Sequence, residues 1–242
     1  MNKEENSKPV VKEDPVVEAV KPRKKYEWDK LLLEIFAVFL GVTSGFLLSN
    51  WQEDRQERKL EQKYIAAYID DVEENISELE ITLKNDSLWM KQAIPILKSL
   101  KEGNFDKDST IKVMKLIVQI SKLNSRSVTY EDMKSSGNLN IINDFNLKGM
   151  IVDYYSEITG VVFLEEYFYS YFRDLIMPFI FSEYNVLKEE LNNPEIINSV
   201  QFVNAFTGYF SMIQQRVAAY NALLNKAYLL KDKLNNSLEK NN

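Results

Sequence analysis

The chain has 242 residues, 45% hydrophobic and 27% charged, with a formal net charge of −6; this suits one domain of ordinary size plus a tail, or two small domains. It contains no histidine and no cysteine, which excludes His general-base chemistry, Ser-His-Asp triads, thiolate nucleophiles, disulfides and Cys or His metal sites. A metal could be held by oxygen ligands alone, no cofactor is implied, and the acidic balance argues against nucleic-acid binding.

Seven glycines and six prolines are few, and three of the prolines (Pro9, Pro15, Pro22) fall in the first 22 residues. The rest of the chain carries little punctuation, which favours long helices over many short strands. The reading is an all-α fold, in which one transmembrane helix continues into a long-helix bundle of about five helices.

Residues 1–27 mix charges with prolines and lack a helical period, which predicts a disordered cytoplasmic leader. A basic cluster follows at Lys21, Arg23, Lys24, Lys25 and Lys30.

Residues 28–51 predict a membrane helix. Ile35 to Leu48 holds 14 residues without a charge, and Trp28 and Trp51 bracket the stretch as interface anchors would. Those 24 residues reach about 36 Å as a helix, more than the roughly 30 Å of bilayer hydrocarbon. A buried soluble helix and a signal peptide fit the same stretch less well. The uncharged run is short for the anchor, but Ser49-Asn50-Trp51 offers no cleavage pattern and the charged leader is too long for a signal. Glu34 lies one turn inside the N-terminal edge, where it can reach the headgroups.

Five Lys/Arg in residues 21–30 against three in 52–61 place the N-terminus in the cytoplasm. For a bacterium this means an inner-membrane, single-pass protein with a periplasmic C-terminal domain. Gly41 and Gly45 form a GxxxG face through which two membrane helices could associate. The partners expected are therefore the lipid bilayer and a protein, including a second copy through this helix.

Residues 52–242 predict the helical extracytoplasmic bundle. Ile65, Ile69, Val72, Ile76, Leu79 and Leu83 step 4, 3, 4, 3, 4, as a bundle seam requires. No Gly or Pro separates this run from the membrane segment; Pro95 and Gly103 should kink and end it. A helix over 109–123 follows, capped by Asp108 or Ser109. Thr129-Tyr130-Glu131-Asp132 reads as a capping box with Thr129 at the N-cap, and Gly137, after Ser135 and Ser136, should end that brief helix. The next helix is expected from Phe145 to Leu191, capped by Asn143 or Asp144 and bent at Pro178. A last helix carries a seam over Phe206, Phe210, Ile213, Val217, Tyr220, Leu224 and Ala227, ending near Leu238. No strand pattern is evident.

Two stretches carry a family resemblance. Glu34-Ile35, Gly41, Leu47-Leu48 and Asn50-Trp51-Gln52-Glu53 are similar to a membrane pattern of the type GEI…G…IAL-x-x-N-x-W-x-E. TYEDMKSSGNLNIINDFNLKGMIVDYY (129–155) is similar to a second pattern, built around an SSG turn and a terminal YY. Together they resemble the DUF6090 family, single-pass membrane proteins of Bacteroidota. The resemblance covers roughly residues 30–155. It implies an N-terminal anchor, a helical extracytoplasmic domain and no established activity. The long leader, Leu33 where the pattern has Gly, and Lys148 near a usual Arg are departures.

The remaining chemistry has competing readings. Ser135 or Ser136 beside Lys134 could form a Ser-Lys pair, or the turn could simply cap a helix. Glu165-Glu166 with Asp153 and Glu157 could hold Ca²⁺ or do acid/base work, or form a solvated face with Arg173 as a partner. Asp86-Ser87-Leu88 and Asp108-Ser109-Thr110 resemble the short O-glycosylation sites of exported Bacteroidota proteins. The aromatic run 163–184 could line a ligand pocket beside Tyr167, Tyr171 and Phe172, or form bundle core. The expectation is a membrane-anchored, non-enzymatic scaffold or protein-interaction subunit. The alternative is a periplasmic sensory or ligand-binding module using that pocket.

Overall fold

The structure, a computed structural model, describes residues 28–103, 107–118 and 122–240. The leader expected over 1–27 lies outside them. The described residues are all-α apart from one minimal hairpin. Helix α1 spans Trp28–Glu102, α2 Lys107–Ile117, α3 Val128–Ser136, α4 Phe145–Tyr171, α5 Met177–Glu183 and α6 Val200–Lys240. A 3-10 turn (Asn138–Ile141) joins α3 to α4, and a π turn (Phe172–Ile176) joins α4 to α5. With α4, the π turn and α5 taken as one continuous rod, the described residues hold five helical rods. The chain divides into two compact units, residues 1–52 and 53–242.

In the first unit the described residues are the N-terminal part of α1. It contains an 18-residue apolar window, long enough to cross a membrane, none of which is buried. Leu, Phe, Val and Ile side chains stand exposed throughout it, with Trp28 and Trp51 at either end. A Cβ added at Gly41 or Gly45 would meet nothing within 4 Å.

In the second unit three long helices present seams with 4- and 3-residue steps. On α1 the expected seam is buried at Ile65, Val72, Ile76, Leu79 and Leu83, with Ile69 half-buried. On α4 the buried file is Leu147, Ile151, Tyr154, Ile158, Val161, Glu165, Phe168 and on to Phe172. On α6 it is Tyr209, Ile213, Arg216, Tyr220, Leu223, Ala227, Leu230 and Leu234. Of the expected α6 positions, Phe206, Phe210, Ile213, Tyr220 and Ala227 are buried, whereas at the other two steps the seam passes through 216 and 223 and leaves Val217 and Leu224 half-buried. These files build two apolar clusters. One runs from Ile65 to Leu83 on α1 with the N-terminal half of α4 and the C-terminal half of α6. The other is aromatic, with Trp89, Phe168, Phe172, Phe179, Phe202 and Phe206 among its members.

Helix ends differ from the sequence reading in three places. Helix α2 stops at Ile117, not at residue 123; Ile120 lies outside the described residues, and Leu123 is buried in a non-helical connection. The reason is competition for backbone groups. Trp89 Nε1 donates to the Leu116 carbonyl at 2.7 Å, and the Leu123 N–H donates to Glu165 Oε1 at 2.9 Å. Side chains of other helices take the groups that a longer α2 would use internally.

Helix α3 begins at Val128 with Ser127 at its N-cap, so the capping box fails: Thr129 is inside the helix and buried. Its N–H donates instead to Asp71 Oδ2 of α1, at 3.0 Å. The C-terminus follows expectation, with Gly137 left-handed at φ +76° and donating to carbonyls of the last turn.

The long helix after Phe145 ends at Glu183, not Leu191. Asp144 caps it, its side chain accepting from the Leu147 N–H at 3.0 Å. The irregularity expected at Pro178 falls one turn earlier. Pro178 has no N–H and its ring crowds the preceding turn, and the backbone widens to an i→i+5 pattern in which the Met177 N–H reaches the Phe172 carbonyl. Beyond Glu183 a hairpin pairs Tyr184 with Leu191 and Asn185 with Glu190, a ladder too short to register as a strand pattern. Asn185 Oδ1 accepts from the Lys188 N–H at 3.0 Å and holds the turn.

Candidate functional site

Between the two apolar clusters the seams of α1, α4 and α6 each carry one buried charged residue. Asp86 follows Leu83 by three residues, Glu165 sits between Val161 and Phe168, and Arg216 sits between Ile213 and Tyr220. Their exposures are 3%, 1% and 2%. Arg216 meets Asp86 in a bidentate pair, Nε to Oδ2 at 2.9 Å and Nη2 to Oδ1. Its guanidinium also lies over the Phe168 ring at 4.6 Å. Burial alone would lower the Arg216 pKa, but the hydrogen bonds and charge of Asp86 more than offset it and hold the value above normal.

Glu165 has a different set of partners. Its Oε1 accepts from the Leu123 N–H and from the Tyr220 hydroxyl, while Oε2 has no hydrogen-bond partner among the described residues. Burial, then the bond to Glu165, pushes the Tyr220 phenol up. All three charged side chains of this layer are buried. What it can do is fix the register of three helices, because a slip on any of them would strand a charge in an apolar cluster.

A second polar system runs along α1 from Glu61 to Trp89. Glu61 accepts from the Asn143 N–H at 2.7 Å and from its side-chain amide at 3.0 Å. Tyr64 donates to Asp132 and accepts from Asn138, both at 3.1 Å. Asp71 takes the Thr129 N–H and, at 2.8 Å, Arg126 Nε. Asn75 holds both backbone groups of Arg126, and Trp89 takes the Leu116 carbonyl. As α1 advances its partners run backwards, from residue 143 to residue 116. Residues 126–143, ahead of α4, are therefore strapped antiparallel along about 21 Å of α1, from Glu61 to Asn75, and Trp89 holds the end of α2 further along the same helix.

The residues singled out in the sequence take these places. Ser135 and Ser136 donate to the Asp132 and Met133 carbonyls, and Lys134 Nζ lies over the Tyr130 ring at 5.7 Å. No Ser-Lys pair forms, and Thr129 and Gly137 shape the helix ends as described. The carboxylates do not converge: Glu157 pairs with Lys226 at 2.6 Å, Arg173 with Asp174 at 2.7 Å, and Glu165 is buried. The solvated face with an Arg173 partner is therefore corrected for Glu165, which faces the core because its position belongs to the α4 seam. Among the described residues no group of three or more acidic side chains could hold a metal ion. Asp86 of the first tripeptide is buried in α1 and paired with Arg216, while Ser87 and Leu88 are exposed on the same helix.

Tyr167, Tyr171 and Phe172 point to different surroundings. Tyr167 is 62% exposed, Phe172 is buried against Tyr209, and Tyr171 donates to the Ala205 carbonyl at 3.1 Å. Gly208 lets Tyr171 approach, since a Cβ there would overlap its hydroxyl. The charged layer itself had a sequence signal that went unused, an ionisable residue on a seam step. No family model, curated protein or solved structure matches this chain.

Proposed function

We propose that this is a single-pass inner-membrane protein of the DUF6090 family, with its N-terminus cytoplasmic and its C-terminal domain periplasmic. Its bundle serves as a non-enzymatic scaffold or interaction subunit. The observation that carries the reading is the 18-residue apolar window of α1, none of it buried. Apolar surface of that length is unfavourable in water and matches bilayer hydrocarbon. Trp28 and Trp51 suit the two interfaces, and the Lys/Arg bias supports the orientation.

The scaffold role draws on how the polar side chains are used. Apart from Glu165 Oε2, the buried charged groups of the layer and the strap are engaged by charged or polar side chains and backbone groups of the bundle itself. Self-association through Gly41 and Gly45 suits the open surface at both glycines. The sensory reading would need a cavity closed by Tyr167, Tyr171 and Phe172, whose side chains diverge.

The test is protease accessibility in intact spheroplasts of the full chain tagged at both ends, followed by crosslinking and mass spectrometry. Digestion of the C-terminal tag with protection of the N-terminal one is the expected result, and the crosslinked neighbours then identify the process. Protection of the C-terminal domain would overturn the orientation. Release of the chain from membranes by alkaline carbonate would overturn the anchor.

A further inference from the structure

Two phenol hydroxyls in the first apolar cluster, those of Tyr68 and Tyr155, are buried and make no hydrogen bond among the described residues, while that of Tyr154 beside them faces the Asn75 side-chain amide. Tyr68 and Tyr155 are 0% and 2% exposed. They belong to one place in the fold. The Tyr68 and Tyr155 ring centroids are 5.9 Å apart, those of Tyr154 and Tyr155 5.0 Å apart, and Tyr130 of α3 stacks on Tyr155 at 4.6 Å.

The nearest strong hydrogen-bonding groups are already engaged. Asp71, one turn along α1 from Tyr68, gives one oxygen to Arg126 Nε and the other to the Thr129 N–H. Asn75, one turn further, is used on both backbone groups of Arg126. Burial pushes all three phenols up, and the Asp71 carboxylate adds to each shift.

A buried hydroxyl without a partner costs its desolvation, and phenylalanine would fill the same space without that cost. Two such hydroxyls on neighbouring rings depart from the usual satisfaction of buried polar groups. Their partner must be small and able both to donate and to accept. The Asp71 charge disfavours an anion, and a cation would compete with Arg126. We infer that Tyr68 and Tyr155 hold ordered water in the interior between α1, α3 and α4, behind the Asp71–Arg126 pair. Such water makes two to four hydrogen bonds to buried groups and is part of the structure.

The experiment uses the full-length chain purified in detergent. Long-lived water is sought by water–protein NOEs at the Tyr68 and Tyr155 phenols and in a high-resolution crystal structure. Thermal unfolding of Tyr68→Phe, Tyr155→Phe and the double variant runs in parallel. Bound water predicts NOEs at the phenols and a fall in Tm of about 2–4 °C for each single variant, the size expected for one lost hydrogen bond in a domain of this length. The double variant should lose less than the sum, because the hydroxyls share a partner. A phenylalanine variant with unchanged or raised Tm overturns the inference. So does the absence of a water signal, or a bound species other than water.

Discussion

The side-chain amide of Asn75 meets both backbone groups of Arg126. Oδ1 accepts from the N–H at 2.6 Å, and Nδ2 donates to the carbonyl at 2.8 Å. One side chain thus gives a non-helical residue the pairing that a sheet neighbour would give. The surrounding connection can leave the helical state without orphaning its backbone.

Removing that amide exposes the dependence. Asn75→Ala leaves both backbone groups of Arg126 without this partner and should destabilise the bundle by about 1–3 kcal/mol. Asn75→Asp keeps the acceptor, loses the donor and should fall between. Denaturant unfolding of the three proteins checks the order. Equal stability of Asn75→Ala and the parent would show that the strap contributes nothing at this point.

The Arg216–Asp86 pair should behave asymmetrically. Asp86→Ala leaves a buried guanidinium without its carboxylate and should cost roughly 3–5 kcal/mol. Asp86→Leu combined with Arg216→Met removes both charges and should recover most of the loss. A double-mutant cycle measures the difference. Additive single costs would mean that the two residues do not act as a pair.

Gly137 occupies a left-handed position that closes α3. Gly137→Ala should cost about 1–2 kcal/mol, because a Cβ is disfavoured there. Gly137→Asn should cost less, since Asn adopts this conformation more readily. Urea midpoints of the two variants decide it, and the reverse order would refute the backbone explanation.

Asp144 links the start of α4 to pH. The hydrogen bond from Lys233, then the Leu147 N–H, holds its carboxyl below the usual range. A depressed folded value means the stabilisation is present above the unfolded value of about 3.9 and is lost as pH falls through the folded one. Asp144→Ala should therefore cost about 1 kcal/mol at neutral pH, the usual worth of a cap. The gap to the parent should narrow below about pH 4. A pH series of denaturation curves shows it; a gap that stays constant to low pH would contradict the linkage.

Much of the architecture could be read from residue spacing. The steps from Ile65 to Leu83 placed the α1 seam, Gly137 placed the end of α3, and Asp144 placed the start of α4. The parts missed share one physical cause, tertiary partners overriding local signals. Thr129 had the sequence of a cap, but Asp71, 58 residues earlier, supplies the capping carboxylate. Residues 118–123 had apolar helical spacing, but Trp89 and Glu165 claim the flanking backbone groups. The α6 seam was misplaced at the Val217 step because Arg216 on a seam step looks like a surface residue. Only its partner Asp86, 130 positions away, makes it an interior one.

The strap along α1 has a consequence for assembly. Its docking points, Glu61, Tyr64, Asp71, Asn75 and Trp89, are unevenly spaced, with gaps of 3, 7, 4 and 14 residues. An uneven comb accepts its counterpart in one alignment. Sliding the connection by a single turn would mismatch its teeth and part the carboxylates from the N–H donors that satisfy them. Every clasp also joins positions far apart in the chain, so none can close until α1 and the region before α4 have met. Such long-range pairing slows folding. The keyed spacing leaves the slow step one correct product, and the segment bearing the SSG turn is seated on α1 by the same event that completes the domain.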